Sequence, residues 1–501
     1  MGDRSHLGWA PVNLVTMQGF RSRGVGRAPG DMDTQERRHI VIVGGGIIGC
    51  TTAYYITRHP KFNPALHTVT LLEATEIAAG ASGKAGGLLA LWAYPDCLVP
   101  LSYRLHKELA AEHDGEKKWG YRRGLGCGSV YAVVKAADLK ERKRKRVPTP
   151  PSRPNNDDGN GKLSLESVAQ LEEKGKYWEK LPKQDEAAAK LLKDSPLPPD
   201  LDWIEGRLVT HYEEMGTPGV TETAQVHPRY FTQTIAELAK QAGVDIREGA
   251  KVMKIGEVES ESEGEENAEG QTNTKGTIAK GKRVQSVEYE DRATNEIRTI
   301  DDVTDVVVTA GPWTGKLLPQ TQIGNIRAHS VVFEADVSPY AVFTSIQLPA
   351  KWVPEHMAAR GERRRHGRHV DPEVYARPGK EVYACGETDN DVPLPPTAEE
   401  VETDLSRCED IIAYIGTISP QLASAPVKTR QACYLPLHKR DGEETGPLIG
   451  PMATKGLWVA AGHSCWGIQN GPGTGYLMAR MLFGDEVDES VAQLGPKKYN
   501  I

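Results

Sequence analysis

The stretch "HIVIVGGGIIGCTTAYYI", His39 to Ile56, constrains the fold more than any other. Its glycines at Gly44, Gly46 and Gly49 spell G-x-G-x-x-G. The β-branched run Ile40–Val43 ahead of them predicts a buried parallel strand. The run Ile47 to Ile56 behind them has apolar residues at helical spacing and no proline, and predicts a helix. A glycine turn between strand and helix suits a pyrophosphate. Gly44 permits the tight turn, Gly46 lets the backbone approach the phosphates, and Gly49 lets helix and strand pack closely. The helix N-terminus then offers free N–H groups and a positive dipole end. A second predicted strand, "HTVTLLE", ends in Glu73, where an acid can accept hydrogen bonds from a ribose. The alternative is a tight turn without a ligand and a surface Glu73.

The bulk numbers exclude several classes. The 501 residues carry a net charge of −7, which leaves no nucleic-acid footprint. The basic runs "ERKRKR" (141–146) and "RGERRRHGR" (360–368) are short, lie in polar surroundings and read as solvated loops. No apolar run approaches the roughly 18 residues that a membrane span needs. Seven scattered cysteines with no C-x-x-C pair point to a reduced, intracellular protein without a disulfide framework or a metal site. Residues 1–36 read as a disordered tail with no signal-peptide core, and Met32 is an alternative start. The ending "KYNI" is not a peroxisomal address, which leaves the cytoplasm as the expected compartment.

Two segments read as flexible insertions: the Pro/Asn-rich 146–162 and the acidic 257–276, the latter a long hairpin tip. The expected class is α/β, with a discontinuous, doubly wound nucleotide-binding domain made of 37–100, 223–320 and 447–485. A second, mixed-sheet substrate domain takes 101–222 and 321–446. Such interleaving suits a ligand held between two domains.

Five stretches carry the chemistry. They are the glycine turn with Glu73; "GASGKAGGLLA" (Gly80–Ala90); "DVVVTAGPWTGKLL", a strand ending at Ala310-Gly311 before Trp313; "TRQACYLPLHKRDGEETGPLIGP" (429–451); and "GLWVAAGHSCWGIQNGPGTGYLMARML" (456–482). In the second, small residues let a backbone lie against a flat ligand, and Ser82 and Lys84 reach phosphate or ring oxygens. In the last, a strand enters a glycine-rich loop and then a helix whose N-terminus faces an electron-rich group.

Their order resembles the FAD-dependent D-amino-acid oxidase superfamily, which includes glycine oxidase and sarcosine oxidase. Within it the chain is most similar to a fungal group of FAD oxidoreductases, one member of which is tied to endosome-to-Golgi transport. The resemblance implies a Rossmann-like FAD domain. Gly44, Gly46, Ile47, Ile48 and Gly49 would meet the pyrophosphate, with Glu73 and Ala74 at the ribose and Val252 at the adenine. Ser82, Lys84, Gly86 and Gly87 would lie near the flavin, and Ala310, Gly311 and Trp313 below it. Gly462 and Gly467, Ile468 and Gly471 would wrap the ring edge, with the helix 474–482 aimed at its oxygens. The implied reaction is hydride transfer to flavin from a C–H next to an amine nitrogen, in a small amine or amino-acid-like substrate. The alternative is a flavoprotein with little turnover that serves as a trafficking partner, with an endosomal association.

Cys433 stands where sarcosine oxidase-like members link FAD through a thioether; a free flavin and a small buried thiol are the preferred expectation. The places of substrate-binding cations read here as Leu435, Cys465 and Gln469, and Ala384 as the replacement of a lysine thought to help oxygen react. Lys84 and Arg377 are then the candidate carboxylate anchors, with His463 and Trp466 on the substrate face. The substrate, the electron acceptor and the oligomeric state stay open.

Overall fold

A computed structural model describes residues 36–145, 196–215, 222–261 and 280–501. The expected tail, apart from Glu36, and the 146–162 insertion lie outside these residues. Of the acidic insertion 257–276, only 257–261 is described. It is not loop: it continues the strand Ala250–Glu261, which pairs antiparallel with Lys280–Asp291. β-Pairing overrides the poor strand preference of the acidic residues there.

The first predicted strand, turn and helix form as Arg38–Val43 and Ile47–Thr57, and "HTVTLLE" forms the strand His67–Glu73. Among the described residues, five parallel strands and one antiparallel edge strand make a sheet. Its order is Leu448–Pro451, Leu457–Ala461, Asp305–Val308, Arg38–Val43, His67–Glu73 and Asp245–Glu248. The chain leaves the strand Arg38–Val43 in both directions, so a crevice opens at its carboxyl end, where open α/β sheets bind ligands.

Alternation along the strands divides the core in two. Ile40, Ile42, Leu71 and Val307 face a helical layer containing Tyr54, Phe231 and Met478. Val41, Val43, Leu72, Val306 and Val308 face Val284, Val287 and Tyr289 of an antiparallel three-stranded sheet. A parallel sheet covered on both faces in this way explains why its strands read as continuous apolar runs.

A second, larger sheet has the strand Ile323–Glu334 between Val427–Arg440 and Glu381–Asp389, and continues through Glu373–Arg377, Tyr340–Gln347, Gly126–Val133 and Val209–Glu214. One face, with Val331, Val374, Val382 and Ala384, packs on Ile411 and Ile415 of the helix Leu405–Gly416. A small sheet joins Leu88–Ala90, Thr223–Gln225 and Arg122–Arg123. Among the described residues, no helix is long and apolar enough to cross a membrane, and no cluster of His, Cys, Asp or Glu is placed to hold a metal ion.

The expected glycine loop after Leu457–Ala461 is not a loop. Helix begins at Gly467 and runs to Leu482, with Pro472 inside it. The glycines serve packing there. Thr51 Oγ1 donates to the Gly471 carbonyl at 2.8 Å. A Cβ on Gly471 would lie 2.6 Å from Ile47 Cγ1, and one on Gly475 would lie 2.5 Å from the Thr51 carbonyl carbon. Burial of this contact offsets the low helix propensity of glycine. Gly475→Ala therefore forces the two helices apart and is expected to cost about 1–3 kcal/mol, read as a lower denaturation midpoint at saturating FAD. Gly367→Ala, with nothing within 4 Å of the new carbon, should stay within about 0.5 kcal/mol of the parent. Equal midpoints for the two variants would refute the packing role.

Candidate functional site

A cavity of about 640 Å³ runs from Glu73 and Val252, past Gly44–Ile48, to Cys433 and Trp466. Its size fits a bound cofactor or ligand. Most of the predicted residues line it: Gly44, Gly46, Ile47, Ile48, Glu73, Ala74, Ser82, Lys84, Gly86 and Gly87 from the amino-terminal half, and Val252, Ala310, Gly311, Trp313, Cys433, His463, Trp466, Gly467 and Ile468 beyond.

The turn is built by contacts that exclude side chains. Gly44 has φ +110°, and a Cβ there would lie 2.6 Å from the Thr309 carbonyl oxygen. A Cβ on Gly49 would lie 2.0 Å from the Gly44 carbonyl oxygen. The helix is thereby pressed onto the strand end, with its N-terminus at the cavity. There Ser82 Oγ accepts from the Ile47 N–H at 2.9 Å. Glu73 Oε2 accepts from the Gly45 N–H at 2.7 Å, and Oε1 from the N–H and hydroxyl of Thr75 at 2.9 and 3.0 Å. Burial pushes the Glu73 carboxyl above its usual range, against the pull of these bonds. Gly46 is different from its neighbours: a Cβ there would meet only Ser82 Oγ, at 3.1 Å, so its missing side chain is room in the cavity.

At the other end, Lys84 ends the short helix Ala81–Lys84, and its Nζ donates to the Ala432 carbonyl at 2.9 Å, beside Cys433. Burial lowers the Lys84 ammonium and pushes the Cys433 thiol up to about 11, with the Lys84 charge opposing the latter. His463 is 3 % exposed, and burial holds it down at about 3. Its Nε2 lies 3.0 Å from Thr474 Oγ1. At neutral pH the cavity thus holds a neutral imidazole and a protonated Cys433 thiol. Neither is an activated nucleophile or a cationic acid.

Four predicted residues lie outside the lining. Gly49 is buried in the helix–turn contact. Gly471 sits at the helix crossing. Gly462, with φ +85°, turns the chain against His438 and Ile323. Arg377 is the substantive correction: its guanidinium bonds to the Ala85 carbonyl, lies 3.6 Å from Glu381 and stacks on the Tyr383 ring at 4.6 Å. It is a structural cation behind the wall. Two of the places read as lost cations also change. Gln469 turns away, its Oε1 accepting from the Ala90 N–H at 2.8 Å, while Leu435 and Cys465 do line the cavity. Ala384 faces the helical core, so it does not mark a missing cavity lysine.

Sequence reasoning missed Phe343, Glu373, Tyr375, Tyr383 and Cys385, which form the wall opposite the turn. The signal was present: in "EVYAR" and "EVYAC" the period of two puts Glu373 with Tyr375, and Tyr383 with Cys385, on one face. It also missed the segment Pro396–Ala398, tethered by Trp313 Nε1 and Lys316 Nζ, which donate to the carbonyls of Pro395 (2.7 Å) and Leu394 (2.8 Å).

Comparison with known proteins agrees with this geometry. The family model described as FAD dependent oxidoreductase matches residues 39–481. The chain is similar to "Putative oxidoreductase TDA3" of Saccharomyces cerevisiae, with 36% identity over 93% of this chain and 96% of that protein. It is also similar to "Putative oxidoreductase C1F5.03c" of Schizosaccharomyces pombe, with 32% identity over 89% and 94%. In fold it resembles the glycine oxidase of Geobacillus kaustophilus, with a TM-score of 0.53 and 18% identity over 92% of this chain and 98% of that one. With the family matched over most of its length, and a cavity lined by the glycine turn at the switch point of its parallel sheet, the chain belongs to the FAD-dependent oxidoreductase family of D-amino-acid oxidase type.

Proposed function

We propose that this oxidoreductase oxidises a C–N bond in an amine or N-substituted amino acid. The observation that carries the reading is the cavity itself. A glycine turn and helix N-terminus line it along the way, and an aromatic wall lines its far part with a neutral His463 and a protonated Cys433 thiol. Bound FAD supplies the hydride acceptor that these side chains lack.

The residues present fit that cofactor. The N-terminus of the helix Ile47–Thr57 and the room at Gly46 suit the pyrophosphate, and Glu73 suits the ribose. Val252 would flank the adenine. Lys84 and Cys433 would lie beside the flavin, held in place by the Lys84–Ala432 bond. Phe343, Tyr375 and Trp466 keep water from the reacting end. The domain division proposed from the sequence has its support in the sheets. The strands of the parallel sheet all fall in 37–100, 223–320 and 447–485, and those of the larger sheet in 101–222 and 321–446.

Three outcomes are expected. The purified protein should show flavin absorbance, or gain it on reconstitution with FAD. Gly46→Glu should lose it, because the new carboxylate occupies the phosphate's room and repels it. Flavin retention by that variant would overturn the placement of the pyrophosphate. Acid precipitation should leave the flavin in the supernatant, since burial keeps the Cys433 thiol protonated; a yellow pellet that Cys433→Ala renders colourless would show the opposite. Finally, under anaerobic conditions an amine or amino-acid panel should bleach the flavin. A loaded protein that no member bleaches would replace this reading with that of a flavoprotein acting through a partner.

A further inference from the structure

Three strands set the chemistry of the wall. Tyr340–Gln347, Glu373–Arg377 and Glu381–Asp389 pair so that Phe343, Glu373 and Cys385 form one row, and Tyr375 and Tyr383 stand side by side in another. All five side chains line the cavity. Within it, Glu373 is an acid without a cation. Its Oε2 accepts from the Tyr375 hydroxyl and from the Cys385 thiol, the latter at 3.7 Å. Among the described residues, Oε1 has no hydrogen-bond partner and the carboxylate has no ion pair. Burial pushes the Glu373 carboxyl above its usual range, although the Tyr375 and Cys385 bonds pull it down.

Aromatic rings form a connected series that passes this acid at Phe343 and Tyr375. Trp466 meets Trp92, and Trp92 meets Phe343, each pair with centroids 5.8 Å apart. Phe343 meets Tyr375 at 6.0 Å, and Tyr375 meets Tyr383 at 5.8 Å. Of the cations expected to hold a substrate carboxylate, Arg377 lies behind the wall with Glu381 and Ala85, and Lys84 lines the cavity beside the Cys433 strand, with its Nζ on the Ala432 carbonyl. Leu435 and Cys465 carry no charge to replace them.

We propose that the substrate is an ammonium cation without a carboxylate, held by Glu373 beside the rings of Phe343 and Tyr375. This names the substrate class of the amine-oxidation reading above and rests on it. An ammonium group entering an apolar cavity needs a counter-charge, and Glu373 provides one. Aromatic faces within about 6 Å add to the attraction. A substrate carboxylate at this wall meets a like charge, and Arg377 on the same strand is already beside Glu381.

Binding tests this apart from turnover. The flavin-loaded protein is titrated calorimetrically with benzyltrimethylammonium, benzyl alcohol and benzoate. The quaternary nitrogen has no lone pair from which to form an iminium, so the cation binds without reacting. In the wild type the cation should bind about 30-fold or more tightly than benzoate, with the alcohol between them. Glu373→Gln should remove that preference and Glu373→Asp should keep part of it, at unchanged flavin content. Tighter binding of benzoate by the wild type, which needs no variant, would overturn the proposal. So would an unchanged cation affinity in a loaded Glu373→Gln protein. If an amino acid bleaches the flavin and benzoate outbinds the cation, this inference fails and the oxidation reading stands. If the cation binds as expected and no amine bleaches the flavin, the oxidation reading fails and the Glu373 site stands.

Discussion

The contact between Gly49 and the Gly44 carbonyl governs the rest of the molecule. Because neither residue has a Cβ, the first helix starts directly over the end of the first strand. That places the helix N-terminus, the positive end of its dipole, at the crevice where the sheet order reverses. Glu73 at the end of the adjacent strand is fastened to the same turn through Gly45 and Thr75. The helix Gly467–Leu482 then packs on this helix through Gly471 and Gly475, which brings Trp466 and His463 to the far end of the same cavity. One close backbone approach thus aligns both ends of the site.

The electrostatics of the cavity follow from its burial. Desolvation holds His463 neutral and Cys433 protonated, so the protein contributes shape and water exclusion more than acid–base chemistry. Burial shifts Lys84 and Glu373 in the same sense, against their charged forms, but their partners differ. Lys84 is tied to the backbone of the strand that carries Cys433, whereas Glu373 keeps an oxygen without a partner among the described residues. The acid with an open oxygen therefore stands on the aromatic wall, and the cation beside the Cys433 strand. This arrangement fits the loss of charge at Leu435, a position that does face the cavity.

The nucleotide half of the site was legible because its signals are local. A glycine turn, a β-branched run before it and a helical pattern after it lie within 18 residues, His39 to Ile56, and each reinforces the others. The substrate half was not, because its wall comes from three strands whose pairing brings distant residues into rows. Ala384 illustrates the difficulty. A one-residue change in which side chain faces the cavity exchanges Ala384 for Tyr383 or Cys385, and only the register with Val331 and Val374 decides it. Arg377 shares a face with Glu373 by the same alternation, yet lies beyond the cavity where the strand passes under Ala85.

The sequence alone therefore determined the fold family, the cofactor and most of the turn that holds it, because backbone geometry at Gly44, Gly46 and Gly49 leaves few alternatives. It also put the uncharged Leu435 where the resemblance leads one to expect an arginine, and a leucine cannot carry charge in any fold. Only the tertiary structure decided that the glycines of "GIQNGPGTG" are a helix crossing and not a loop, because their value lies in contacts with Ile47 and Thr51, far away in the chain. Only it decided that Glu373, unremarkable among 68 acidic residues, stands beside Tyr375 in the cavity with no ion pair among the described residues. Burial and charge pairing are properties of neighbours in space, and no local pattern encodes them.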